Sequence, residues 1–129
     1  MPIIKHNPQA LFPQYQIYSH AIEVSGDSRL LFISGLNGYQ KDGKTMPDSF
    51  DEQAELIWQH IGNVLQSADM DYSNIISMRF YLASPEYDEA NIKLRKKYLG
   101  KHEPTLTVIC CQLLETNWKL EIETVAASA

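Results

Sequence analysis

The segment from Ser49 to Ala68 carries the pattern that most restricts the fold of this chain. Its apolar residues recur at steps of three and four, which places them on one stripe of an α-helix. They are Phe50, Ala54, Ile57, Ile61, Val64, Leu65 and Ala68. Ser49 and Glu52 have the spacing of a capping box at the start of such a helix. The sequence therefore predicts an amphipathic helix over residues 49–68.

Two strands are predicted before this helix. From Gln16 to Val24 the residues alternate with period two, and Ser25-Gly26-Asp27 supplies a turn. Residues 29–34 are apolar on both sides, which is typical of a strand that is covered on both faces. Residues 36–41 allow a short third strand. Residues 1–15 contain three prolines and little periodicity, so we expect an irregular lead-in there.

A strand and a second helix are predicted after the first helix. Residues 74–82 alternate as a strand does, with one face more apolar than the other. Ser84 is a suitable N-cap, Pro85 suits the first helical position, and Gly100 suits the end of the helix. We expect the basic residues of this helix to form a solvated face; they are Lys93, Arg95, Lys96 and Lys97.

Two strands complete the chain, at residues 105–113 and 118–126, and residues 114–117 between them predict a hairpin. This order of elements predicts an α+β domain, residues 1–129, with a mixed sheet of five or six strands and two helices on one face. The sheet face that the helices do not cover would still carry apolar residues, from 30–33 and 108–111. Such a face predicts oligomerisation through the sheet.

Composition limits the class of protein. With 129 residues, 44% of them hydrophobic, the chain can fill the core of one domain. The net charge is −5 and the basic residues are mostly scattered, which disfavours a nucleic-acid partner. No apolar run reaches the roughly 20 residues that span a bilayer, so no membrane association is expected. The N-terminus does not resemble a signal peptide, and we expect a cytoplasmic protein.

Five short motifs, in register along nearly the whole chain, resemble the RidA/YjgF family, which has also been labelled translation initiation inhibitor and L-PSP endoribonuclease. The motifs are Tyr18-Ser19-His20-Ala21, Phe32-Ile33-Ser34-Gly35, Gln53-Ala54, Pro104-Thr105 and Lys119-Leu120-Glu121-Ile122-Glu123. The resemblance implies a chorismate-mutase-like α+β fold, a homotrimer and a small-molecule cleft between neighbouring subunits. It also implies hydrolysis of imines and enamines to 2-oxo acids and ammonia, without a metal or cofactor.

The resemblance also implies a set of site residues. Glu121 would be the catalytic residue, as a general base or a group that orients water. The ligand-binding positions would be Tyr18, Ser34, Gly35, Asn91, Leu106 and Thr107. The spacing to the end of the second helix leaves Ile92 as an alternative to Asn91. Asn91 fits better because it lies on the apolar stripe of that helix, where an amide needs a partner.

Leu106 departs from the family pattern. The resemblance implies an arginine at this position, which would hold a substrate carboxylate by two charge-assisted hydrogen bonds. Leucine cannot do so, and we therefore do not expect an efficient 2-iminopropanoate deaminase. The protein would act on a less acidic or more apolar ligand in the same cleft, or bind a ligand without turnover. Arg79 and Lys119 are alternative cations, although the sequence favours a surface position for each.

Other candidate groups are weaker. Cys110 and Cys111 are adjacent, so their side chains should point to opposite faces of a strand, and we expect them to pack in the core. His20 shares a strand face with Tyr18 and is the histidine best placed to line the cleft. The four histidines show no paired ligand spacing, which disfavours a metal site. Residues 34–38 lack the lysine of a phosphate loop and predict a bend before an edge strand.

Three functions remain open from the sequence. The first is a trimeric hydrolase of imines or related small nitrogen compounds. The second is a trimeric protein that binds a small ligand or acts as a chaperone without chemistry, which Leu106 supports. The third is a ribonuclease, which the acidic balance of the chain disfavours.

Overall fold

The computed structural model describes residues 3–14 and 18–128. These ranges form six strands and two α-helices. In chain order they are β1 (Ile3–His6), β2 (Ala21–Val24), β3 (Arg29–Leu36), α1 (Phe50–Ser67), β4 (Ile75–Leu82), α2 (Asp88–Leu99), β5 (Thr105–Cys110) and β6 (Leu120–Ser128).

Four strands form a mixed sheet in the order β3-β6-β4-β5, and β1 and β2 form a separate antiparallel ribbon. In the larger sheet β6 is antiparallel to both of its neighbours, whereas β4 and β5 are parallel. Both helices pack on the sheet face that carries Met78, Phe80 and Leu82. The prediction of an α+β fold with two helices on one face is thus confirmed, with six strands that divide between two sheets.

The predicted hairpin between the last two strands is wrong. β4 lies between β5 and β6 in the sheet, and β5 runs parallel to β4 with Leu106 opposite Met78. The connection passes the end of β4, where Leu82 accepts a hydrogen bond from Cys111 N and Ala83 N donates to Lys119 O, both at 3.0 Å. Alternation along the sequence predicts a strand but does not identify its neighbour.

The N-terminal predictions need three corrections. Residues 3–6 are not irregular, because they form β1, in which Ile3 pairs with Val24. The predicted strand over 16–24 is present only as β2, and Gln16 and Ile17 lie outside the described residues. β3 extends to Leu36, but residues 37–41 form no strand, so the expected short strand and edge strand are not found there.

The first helix was predicted almost to the residue. Ser49 is the N-cap of α1 and accepts a hydrogen bond from Glu52 N at 3.1 Å. Ser84 instead caps a 3-10 turn, Pro85–Tyr87, which precedes α2. Gly100 ends α2 with φ +60°, a conformation that favours glycine.

The expected solvated basic face of α2 is wrong at Arg95. This side chain is 3% exposed, and its guanidinium lies over the ring of Phe80, 5.4 Å from the ring centroid. The neighbouring Lys93, Lys96 and Lys97 are exposed, as expected.

The sheet face opposite the helices, here called the open face, is exposed in the single chain. Alternating burial along the strands places one residue in two on it. The residues that matter below are Leu30, Phe32, Ser34, Ser77, Arg79, Tyr81, Thr107, Ile109, Glu121 and Glu123. The apolar members confirm that the sheet keeps an uncovered apolar surface, since Phe32 is 73% exposed.

Candidate functional site

Three concavities, which we name after their predicted site residues, lie along the open face. The Tyr18 concavity is lined by Phe12, Tyr18, His20, Ser77, Arg79, Thr105, Leu106 and Thr107, among others. The Ser34 concavity includes Ser34, Ser77, Arg79 and Glu123. The Glu121 concavity includes Gly35, Tyr81, Cys111, Glu121 and Glu123. The first and third share no lining residue, so Tyr18 and Glu121 line separate concavities of one chain.

Glu121 and Gly35 are in direct contact. A Cβ atom at Gly35 would overlap with Oε1 of Glu121 and would lie 3.0 Å from its Cδ. Glu121 lies on β6 opposite Tyr81 of β4, on the side away from the buried Leu120 and Ile122. The absence of a side chain at Gly35 is therefore what allows the carboxylate to rest against the β3 backbone.

Tyr81 and Glu123, which are hydrogen-bonded to each other, also line this concavity. The hydroxyl of Tyr81 donates to Oε1 of Glu123 at 2.6 Å. This hydrogen bond raises the pKa of Tyr81, and burial adds to the increase. Sequence reasoning missed both residues, although their spacing of two from Arg79 and Glu121 places them on the same strand face.

Leu106 is half-buried and packs against the core. It is paired with Met78, whose side chain is buried under the helices, and Val108 packs against the same core cluster. Glu121 lies on the other sheet face, so neither of these apolar residues surrounds its carboxylate. Leu106 nevertheless lines the Tyr18 concavity, to which it adds no polar side-chain atom.

The segment that carries Tyr18 is fixed beside the start of β5. The amide of Ser19 donates to the Pro104 carbonyl at 2.9 Å, and its hydroxyl donates to the Glu103 carbonyl. Ser19 itself is buried. These contacts hold the neighbouring Tyr18 at the concavity that Thr107 also lines.

The two candidate cations have different surroundings. Lys119 is directed away from the open face, since its ammonium donates to the Asp48 carbonyl. Arg79 lines both the Tyr18 and the Ser34 concavities, and its side chain is 61% exposed. Its guanidinium lies 3.9 Å from Oε1 of Glu123.

Asn91 does not join the other predicted residues. It lies on the inner side of α2 with 0% exposure, and neither polar atom of its amide has a partner among the described residues. Ile92 is half-buried and faces a groove on the helical side. The buried amide agrees with the prediction that Asn91 lies on the apolar stripe of α2.

The cysteines are not core residues, contrary to our expectation. Cys110 is exposed at the end of β5, and Cys111 lines the Glu121 concavity. Within residues 3–14 and 18–128, no three His, Cys, Asp or Glu side chains are grouped as a metal site would require. Neither helix in these ranges combines the length and the apolar character needed to cross a bilayer.

A family model described as Endoribonuclease L-PSP matches residues 8–128. The chain belongs to the RidA/YjgF family. Among solved structures it resembles the Rid-family protein YyfB from Yersinia pestis, with a TM-score of 0.87 and 24% identity, over 99% of this chain and 100% of that one. This likeness confirms the YjgF-like fold.

Curated relatives agree with this membership. Reactive Intermediate Deaminase A, chloroplastic, of Arabidopsis thaliana is 29% identical over 92% of this chain and 60% of its own length. The 2-iminobutanoate/2-iminopropanoate deaminase of Capra hircus is 28% identical over 92% of this chain and 82% of its own length. Protein HMF1 of Saccharomyces cerevisiae is 27% identical over 85% of this chain and 83% of its own length. RidA-like function is therefore supported for this chain.

Proposed function

We propose that this protein hydrolyses imines or enamines of small nitrogen metabolites in clefts between the subunits of a homotrimer. The contact between the Glu121 carboxylate and Gly35 carries this proposal, because it holds a carboxylate in an open concavity beside exposed backbone. The deaminase names of two relatives point to the same reaction.

The proposed reaction needs one base and one water molecule. Glu121 takes a proton from water as the water oxygen attacks the imine carbon. That proton is passed to the nitrogen, which gives a carbinolamine. Glu121 then moves the hydroxyl proton to the nitrogen, the carbon–nitrogen bond breaks, and ammonia leaves as the carbonyl forms. Ser34 and the backbone amides next to it hold the ligand, while Tyr18 and Thr107 shape the cleft; Asn91, which is fully buried on the inner side of α2, takes no part.

The separation of the Tyr18 and Glu121 concavities supports a cleft between subunits. Because the two share no lining residue in one chain, a site that contains both Tyr18 and Glu121 needs a second copy. The exposed apolar residues of the open face supply a surface on which that copy can pack.

Leu106 lowers the expected efficiency toward 2-iminopropanoate. A bidentate pair between arginine and a carboxylate contributes about 1.5–3 kcal/mol per hydrogen bond. Without it, a small carboxylate substrate should bind about 100-fold more weakly, and its orientation should be less precise. We therefore place this protein among weak 2-iminopropanoate deaminases.

Ligand binding without catalysis is the second candidate, and the apolar, half-buried Leu106 favours it. The ribonuclease implied by the family label is a distant alternative. Strongly salt-dependent binding of RNA would support it. A cytoplasmic location stays a proposal, because one relative is named as chloroplastic and another as mitochondrial.

The deciding experiment generates imines from several amino acids with an amino-acid oxidase and traps the surviving imine with semicarbazide. We expect slow hydrolysis by the wild type, none by Glu121→Gln, and faster hydrolysis of 2-iminopropanoate by Leu106→Arg. Leu106→Met is the matched control for packing at this half-buried position. An inert wild type and an inert Leu106→Arg variant, both folded, would leave ligand binding without catalysis as the function.

A further inference from the structure

The imidazole of His20 has no partner in the chain that the structure describes. Both ring nitrogens are inaccessible to solvent, and neither has a hydrogen-bond partner there. The ring packs edge-on against Phe12 and Tyr18, with centroids 5.5 and 5.9 Å away. At least one nitrogen of an imidazole carries a hydrogen, and a buried donor without an acceptor is unfavourable. Among the described residues His20 is therefore left with an unsatisfied polar group, which a ligand can satisfy.

Arg79 lies in the same concavity and is largely uncommitted. Its contact with Glu123 is long, at 3.9 Å, and the same Oε1 atom of Glu123 already accepts the Tyr81 hydroxyl at 2.6 Å. An exposed ion pair of this length contributes little to stability. No described residue forms a hydrogen bond with this guanidinium, so its N–H donors can serve a ligand.

The rest of the concavity suits a small anion. Among its described lining residues there is no carboxylate, although the whole chain has a net charge of −5. Thr107 lies opposite Arg79 across β4 and β5, and Ser77 lies two residues before Arg79 on the same strand face. Their hydroxyls can donate to an oxygen of a ligand that Arg79 holds.

We propose that Arg79 and His20 bind the carboxylate of the substrate, more weakly than the arginine that the family resemblance implies at Leu106 would bind it. The ligand class is a small 2-oxo or 2-imino carboxylic acid, held by the planar fork of Arg79 and a hydrogen bond from His20. This assignment of Arg79 and His20 as specificity-determining residues rests on the proposed function for its reaction. The binding of the carboxylate can be tested without the reaction.

The test measures the affinity for 2-oxobutanoate and for its neutral analogue 2-oxobutanamide by isothermal titration calorimetry. We expect Arg79→Gln to lower the affinity for 2-oxobutanoate at least 10-fold and to leave the affinity for 2-oxobutanamide unchanged. Arg79→Lys should recover part of the affinity, because lysine keeps the charge but loses the bidentate geometry. His20→Phe keeps the aromatic packing and should weaken 2-oxobutanoate several-fold.

Arg29→Gln is the matched control. Arg29 is an exposed arginine of β3 whose guanidinium donates to the Ala68 carbonyl at 3.0 Å, outside the concavity. Its substitution removes the same charge and should leave both affinities unchanged. Equal losses in Arg29→Gln and Arg79→Gln would overturn the proposal, as would a wild type that does not bind 2-oxobutanoate or an unchanged affinity in Arg79→Gln.

Hydrolysis assays on the same variants separate this proposal from the proposed function. If the wild type hydrolyses imines while Arg79→Gln binds 2-oxobutanoate normally, the proposed function stands and the role of Arg79 is refuted. If Arg79→Gln loses its affinity for 2-oxobutanoate but neither the wild type nor any variant hydrolyses an imine, the carboxylate-binding site stands and the proposed hydrolase function is refuted.

Discussion

At the scale of single residues, Gly35 controls where the Glu121 carboxylate can rest. In Gly35→Ala the new methyl group overlaps with the end of a flexible side chain, which can move aside. We expect imine hydrolysis to fall about 10-fold through the loss of carboxylate position. The free energy of unfolding should change by less than about 1 kcal/mol, because alanine suits a strand at least as well as glycine. Urea denaturation and the imine assay measure both effects.

Gly38→Ala is the contrasting variant. A Cβ there would lie 2.6 Å from the Cα of Gln53 and 2.8 Å from its carbonyl oxygen, and this helix backbone cannot swing away. We expect a loss of about 1–3 kcal/mol in the free energy of unfolding. Equal stability losses in the two glycine variants would contradict the view that only the Glu121 side chain opposes a methyl group at Gly35.

His102 gives the fold a dependence on pH. Burial lowers the pKa of His102 below its ordinary 6.5, and the nearby Lys5 ammonium lowers it further. A hydrogen bond to the Ile75 carbonyl and the Asp71 and Glu103 carboxylates act in the opposite direction. Because the folded pKa is depressed, the unfolded chain takes up the proton first as the pH falls.

We therefore expect the free energy of unfolding to decrease from about pH 7 to about pH 5, with a smaller slope in His102→Gln. Titration of Glu55 does not contribute to the change in stability over this pH range. Hydrogen bonds from Lys97 and Tyr98 lower the pKa of Glu55 from 4.5, so its contribution is lost only at more acidic pH. Denaturation curves at several pH values measure the slope, and identical slopes would refute the role of His102.

At the scale of elements, Arg95 is a buried cation on the inner face of α2. Its Nε and Nη1 atoms have no partner among the described residues, and burial lowers the pKa of the guanidinium. A buried charge without a partner costs free energy that the Phe80 ring offsets only in part. We expect Arg95→Met to raise the free energy of unfolding by about 1 kcal/mol.

Urea denaturation of Arg95→Met and Lys96→Met tests this expectation. Lys96 is the exposed neighbour, and its substitution should change the stability little. Should Arg95→Met instead be less stable than the wild type, the guanidinium must have a partner in the assembled protein.

The elements also show which features a sequence predicts. The limits of α1 were predictable because the Ser49 cap and the apolar stripe are local features. The parallel pairing of β4 with β5 was not, because a strand's neighbour depends on the path of the chain between them. β1 was missed because the four-residue strand pairs with β2 and carries only a weak alternation of its own.

In the candidate site, too, local features were predictable from the sequence and long-range neighbours were not. The motifs at Tyr18, Gly35 and Glu121 led to residues that line two concavities of the structure. Their separation was not predictable, since it depends on which strands are neighbours. Arg95 was wrongly predicted to be exposed because its three lysine neighbours are typical of an exposed helix face. Its side chain in fact lies over the ring of Phe80.

At the scale of the whole molecule, the open face decides whether a complete site can form. Phe32 at 73% exposure and the neighbouring Leu30 form an apolar surface on β3, next to the Ser34 concavity. A monomer rarely keeps large apolar side chains together in solvent. The proposed homotrimer would bury them and bring Tyr18 of one copy toward Glu121 of another.

We expect Phe32→Glu to prevent this assembly, because a carboxylate cannot be buried there without a partner. Size-exclusion chromatography with light scattering should give about three times 14.7 kDa for the wild type and 14.7 kDa for Phe32→Glu. Asn63→Glu adds the same charge at an exposed position of α1 and should stay trimeric. Because the proposed site is built from two copies, Phe32→Glu should also lose imine hydrolysis. A monomeric wild type, or a Phe32→Glu variant that remains trimeric, would contradict assembly through the open face.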